Sequence, residues 1–186
     1  MSWSDTIRLL PRVAAVVIAA AALGGCFRPM YAVSPDGTSV QDQLASIEVA
    51  TINPGNHDNP RLAYYTQSEL TYRLSGGAPG ETPKRYRLET SVRESITSTI
   101  VNTSTGNAEA ALLKGQADFR LVPVEGGEPV YSGQALASSA YDRTPQRFAA
   151  LRAARDAQIR VATALAEQIK TRIAAQFAGQ KIRAGR

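Results

Sequence analysis

Residues 84–101 constrain the fold more than any other stretch of the chain. Between Lys84 and Val101, the residues Tyr86, Leu88, Val92, Ile96 and Ile100 fall on one side of a period-two pattern. Arg85, Arg87, Glu89, Arg93, Thr97 and Thr99 fall on the other. Alternation sustained that far describes a β-strand with one buried face and one wet face.

The same alternation resumes downstream. After a polar turn at 102–107, Ala111 to Leu121 places Leu113, Ala117, Phe119 and Leu121 on one side. Glu125-Gly126-Gly127-Glu128 forms a second turn, and Val130 to Tyr141 reads as a less regular strand. Three strands joined by short turns predict an antiparallel meander. Upstream, Ala45 to Ile52 is a short first strand. Asn59-Pro60 supplies an N-cap and a first-turn proline for a helix to about Leu74, which aligns Ala63, Leu70 and Leu74 with Leu62 at the edge. Thr144-Pro145 caps a long last helix running to about Phe177. Its apolar stripe passes through Phe148, Leu151, Ile159, Ala162, Leu165, Ala166, Ile169, Ile173 and Phe177. Arg152, Asp156, Arg160, Glu167 and Lys170 lie opposite. Arg155 and Arg172 interrupt the stripe, with their guanidinium groups expected to snorkel at its edges. The predicted fold class is α+β, in the order β-α-β-β-β-α. It is a four-stranded mixed sheet with two helices packed on one face, and a right-handed crossover joins the first two strands.

Composition narrows the chemistry. The only cysteine is Cys26 and the only histidine is His57, which lies in an Asn/Gly/Pro loop beside Asp58 and reads as a surface residue. Cysteine metal clusters, internal disulfides and His-based triads are therefore short of parts. No catalytic residue, metal site or cofactor is predicted. The net charge of +5 comes mostly from arginine, 17 against 4 lysines. It suits an acidic partner or an anionic lipid, and no RNP-like, zinc-finger or helix-turn-helix pattern marks a nucleic-acid binder.

The first thirty residues set the expected destination. Met1 to Arg12 is a short basic segment, and Val13 to Leu23 follows without a charge. That apolar run is too short for a bilayer core, which needs about 20 residues, and has the length of a secretory h-region. Leu23-Gly24-Gly25-Cys26 closes it and resembles a bacterial lipobox. The resemblance implies cleavage before Cys26 and a triacylated cysteine, with several acyl chains giving a firm membrane anchor. Phe27 follows where Asp would retain a lipoprotein in the inner membrane, so delivery to the periplasmic side of the outer membrane is implied. The expected organisation is a signal peptide at 1–25, a lipidated tether at 26–44, one α+β domain at 45–180 and a basic tail at 181–186.

Several features together resemble the LptE family of lipopolysaccharide (LPS)-assembly lipoproteins, in its α-proteobacterial form. They are the lipobox, Phe27-Arg28-Pro29-Met30-Tyr31 after it, the element order, and Tyr141-Asp142-Arg143-Thr144-Pro145 leading into Ala149 to Ile173. The resemblance implies a non-enzymatic protein that plugs an LptD-like outer-membrane barrel, supports its assembly, and assists insertion of LPS into the outer leaflet. Only Cys26 carries over as a functional residue. Family members contact LPS through basic residues near the second-to-third strand turn and on the fourth strand, but neither 102–107 nor Val130 to Tyr141 holds Lys or Arg.

Arg85, Arg87 and Arg93 project from one face of the long strand. A solvated strand face is the plainer reading of that row, and pairing with lumen carboxylates or lipid phosphates is the functional one. A second function also fits the residues: an accessory lipoprotein of an ABC-type lipid-transport complex in the periplasm.

Overall fold

A computed structural model describes residues 39–52, 60–76, 82–101 and 108–184. The chain divides into two units, Met1–Ala32 and Val33–Arg186, and the first lies outside the described residues. Outside them also lie Cys26, His57 and the turn at 102–107.

The first described element of the second unit is a helix, α1 (Val40–Ala45), followed by β1 (Ile47–Val49), α2 (Arg61–Ser75), β2 (Tyr86–Val101), β3 (Ala108–Pro123), β4 (Tyr131–Asp142) and α3 (Arg147–Ala184). The sheet order is β1-β2-β3-β4, with β1 parallel to β2 and the other pairs antiparallel. The α+β class and the mixed four-stranded sheet are as expected, with three described helices in place of two.

The added helix falls in residues assigned to the tether. Ser39 caps it: its hydroxyl accepts from the Asp42 N–H at 3.0 Å, and Asp42 Oδ2 accepts from the Ser39 N–H at 2.8 Å. This reciprocal cap satisfies two donors that a helix start otherwise leaves open. Val40 and Leu44, four residues apart, are buried in the core. Polar composition had hidden them, and the described part of the folded body begins at Ser39. With Ser46 closing α1, β1 keeps three residues of the eight anticipated at 45–52.

Helix α2 buries Leu62, Ala63, Thr66, Leu70 and Leu74, and the Thr66 hydroxyl donates to the Leu62 carbonyl at 2.7 Å. Pro60, not Asn59, occupies the cap position and makes no side-chain bond there. Gly76, at φ +72°, ends the helix in the left-handed conformation that glycine tolerates.

The core lies between the helices and one sheet face. Leu88, Thr90 and Val92 of β2, the odd-numbered residues 111–121 of β3 and Ala135 of β4 point into it. Two glycines set how closely the layers meet. A Cβ on Gly115 would stand 2.5 Å from Val161 Cγ1 of α3, so the helix packs directly over that backbone. The Phe119 ring covers Gly133 on the neighbouring strand and also contacts Tyr131, with ring centroids 5.8 Å apart.

Two parts of the predicted core are uncovered. Ile96 is 50% exposed, while the side chain of Ile100 lies outside those described. On α3, Phe148, Leu151 and Ile159 are 84%, 54% and 41% exposed, although the stripe from Ala162 to Phe177 is buried as expected. The strand alongside the helix ends at Asp142, and no residue of α3 from 147 to 156 is buried, which leaves Phe148 and Leu151 uncovered; Ile159 lies off the buried line through Gln158, Ala162 and Leu165. The helix starts at Arg147, two residues beyond Thr144-Pro145. No described helix is long and apolar enough to cross a membrane.

Candidate functional site

The sheet face turned away from the helices is the candidate site. Alternation places Arg87, Glu89, Ser91 and Arg93 of β2 there, with Gln116, Asp118 and Arg120 of β3 and Ser132, Gln134 and Leu136 of β4. Cross-strand register assembles them into rows, among them Glu89–Arg120–Ser132 and Ser91–Asp118–Gln134. Between these two rows runs an open trough of about 540 Å³ whose floor is the backbone of Thr90, Phe119 and Gly133.

Asp118 organises the centre. Its carboxylate accepts from Gln134 Nε2 at 2.8 Å, from Gln116 Nε2 at 3.3 Å and from the Arg93 guanidinium. The Gln134 hydrogen bond, helped by Gln116 and Arg93, holds the Asp118 carboxyl below its ordinary range against a smaller opposing effect of burial. Half-exposed ion pairs of this kind contribute only about 0–1 kcal/mol each. The network therefore orients polar groups more than it stabilises the fold.

Of the three arginines singled out, Arg87 and Arg93 of β2 lie on this face while Arg85 precedes the strand, and they do not act as one row. Arg93 bonds Asp118, and Arg87 lies 3.6 Å from Glu48 of β1. The Arg85 side chain makes no ion pair among the described residues, and its backbone N–H donates to the Ser46 carbonyl at 2.9 Å. Sequence reasoning on β2 alone missed Asp118, Gln134, Gln116 and Arg120. The polar half of the β3 alternation held the signal, but their meeting with Arg93 depends on register.

A second feature was not legible beforehand. Strand β4 is a sheet edge, and side chains of α3 occupy its outward backbone groups. Gln168 donates to the Leu136 carbonyl at 2.8 Å and accepts from the Leu136 N–H at 3.4 Å. Arg172 donates to the Gln134 carbonyl, and Arg160 donates to the Ala140 carbonyl at 3.1 Å and to Ser139 Oγ at 2.9 Å. Arg172 is thus bonded to the strand edge instead of merely reaching for water. Occupied edges resist pairing with another chain, which leaves the open face as the broad polar surface.

Where the β2 core row meets α3, Glu94 accepts from the buried Gln158 amide at 3.0 and 3.1 Å. Burial raises its carboxyl above the usual range, against the opposing pull of the Gln158 bond. Among the described residues no cluster of His, Cys, Asp or Glu could hold a metal ion.

Comparison with known proteins places this architecture. Residues 44–173 match the family model described as LptE, lipopolysaccharide-assembly. A solved structure from Caulobacter crescentus CB15, classed as a lipoprotein, is 26% identical with a TM-score of 0.60, covering 76% of this chain and 96% of its own. The minor lipoprotein of Acinetobacter baumannii is 17% identical, with a TM-score of 0.45 and coverage of 69% and 88%. Rare lipoprotein B of Shewanella oneidensis is 14% identical, with a TM-score of 0.42 and coverage of 75% and 98%. No curated protein sequence matches significantly. The family model spans well over half of the chain, from the end of α1 through most of α3, and the chain therefore belongs to the LptE family of lipopolysaccharide-assembly lipoproteins.

Proposed function

We propose that this lipoprotein is anchored to the periplasmic side of the outer membrane through Cys26 and works without catalysis. Its partner is an LptD-like barrel, which it plugs, helping the barrel assemble and pass LPS to the outer leaflet. The observation that supports this reading most is the division of the sheet. One face is filled by helices, and the other carries a polar, mutually bonded surface around Asp118. Wide transmembrane barrels have polar interiors, so a resident body needs polar surfaces of this sort. The β4 edge, occupied by Gln168, Arg160 and Arg172, favours docking by surface fit over addition of a strand to the barrel wall.

Co-purification in mild detergent tests the reading. A barrel-sized outer-membrane partner is expected, and recovery with inner-membrane transport subunits would replace it with the ABC-accessory role. Cys26→Ala should shift the protein to a soluble or unprocessed form, and unchanged membrane fractionation would remove Cys26 as the anchor.

A further inference from the structure

The two edges of the sheet are closed to different extents. Strand β4 has outward backbone groups bonded by Gln168, Arg160 and Arg172 of α3. At the other edge, β1 pairs with β2 only from Tyr86 to Leu88. The Ala50 N–H adds one bond to the Leu88 carbonyl at 3.0 Å, and beyond it no further bond to the outward backbone of β2 is made among the described residues. Residues 90–97 of β2 stay in regular register with β3. One side of this stretch is thus a paired ladder and the other an open edge.

Strand geometry fixes which groups are open. In an antiparallel pair, hydrogen-bonded residues alternate with non-bonded ones. The Val124 N–H donates to the Arg85 carbonyl at 2.9 Å, which puts the backbone groups of the odd-numbered residues of β2 toward β3. The N–H and C=O of Thr90, Val92, Glu94 and Ile96 therefore point away from β3, along an edge roughly 20 Å long. Side chains at this edge are also short of cover. Ile96 sits on the side of the sheet that the helices pack against, yet it is 50% exposed. The Thr90 hydroxyl is buried without a hydrogen-bond partner. An open edge next to an uncovered core residue is a template for one more strand.

We propose that the free edge of β2 takes up an extended segment of the barrel protein as an added strand, a mode that rests on the barrel partnership proposed above. A closed barrel wall has no edge to offer, so a loop or terminal segment supplies the strand. Its side chains alternate between Ile96 on one side and Arg93, Ser95 and Thr97 on the other, which calls for an apolar–polar pattern in the segment. A second copy of this chain fits poorly. A two-fold pair of edges using all of 90–96 is centred on Arg93, and one using 90–98 is centred on Glu94. Like charges stand opposite each other in either case. The net charge of +5 also favours an unlike partner.

Hydrogen exchange read residue by residue tests this on the full chain, alone and in its detergent-extracted complex. In the free chain the Val92, Glu94 and Ile96 amides should exchange fast, and those of Arg93 and Ser95, bonded to β3, slowly. In the complex the first three should slow by about tenfold or more. Docking by surface contact alone gives no such alternation. Ile96→Pro, which removes one outward N–H and spares the β3 ladder, should lower recovery of the barrel by about tenfold. The exchange pattern decides the matter whether or not that variant folds. A barrel-bound chain whose three amides exchange as in the free chain would overturn the added strand and leave the barrel partnership standing. Slow exchange at those amides in the chain alone would also overturn it, assigning the edge to a second copy if it depends on concentration and to the chain's own residues if it does not. Recovery of no barrel-sized protein would remove both readings together.

Discussion

The two faces of the sheet come from the same three long strands, one residue out of step, yet they are held by different forces. On the covered face Leu88, Leu113, Phe119 and Leu121 are nearly inaccessible and pack against α2 and α3. On the open face Arg93, Asp118 and Gln134 are half-exposed and bonded to one another. Burial of apolar area contributes several kcal/mol for a large side chain, whereas a solvated ion pair contributes about 1 kcal/mol or less. Stability resides on one face, and the other is free to be shaped by what it meets.

Mutations can break or sharpen that contrast. The largest loss is expected for Phe119→Ala, at about 3–5 kcal/mol in chemical unfolding, because the cavity would open beside Gly133 and Tyr131. Gly115→Val should cost roughly 1–3 kcal/mol, since even a Cβ there meets Val161 Cγ1 at 2.5 Å. Native-like stability in that variant would show that α3 can slide on the sheet.

Glu94, at the margin of the covered face, should show itself through pH. Its raised carboxyl binds a proton more tightly when folded than when unfolded. Its contribution to stability is thus complete below the ordinary value of 4.5 and is lost as pH rises through the raised one. Glu94→Gln should remove that decline, so a stability–pH curve from acid to neutral is flatter in the variant. An unchanged slope would mean that Glu94 is solvated.

The smallest effect is expected for Arg93→Ala, under about 1 kcal/mol, and less at high salt. A loss approaching that of Phe119→Ala would end the distinction between a stabilising face and a recognition face. Weakened barrel co-purification with stability retained would sharpen it.

Much of this was legible from residue order. The alternation in β2 and β3 identified which side chains face which way, so that Arg87 and Arg93 lie on the open face, while Arg85 precedes the strand. Alternation acts through the local geometry of the strand and needs no partner. What it could not reveal was pairing. Arg93 bonds Asp118 because antiparallel register brings residues 25 positions apart together. Val40 and Leu44 escaped notice for a related reason, since a six-residue helix has too few turns to display a period amid polar neighbours.

Helix α3 marks the division most clearly. Its sequence alone determined a continuous apolar stripe from Phe148 to Phe177, because side-chain direction follows from 3.6 residues per turn. The tertiary structure decided how much of that stripe became core. The strand beneath it ends at Asp142, and burial requires a second surface at contact distance. Beyond that end the same kind of residue remains in water.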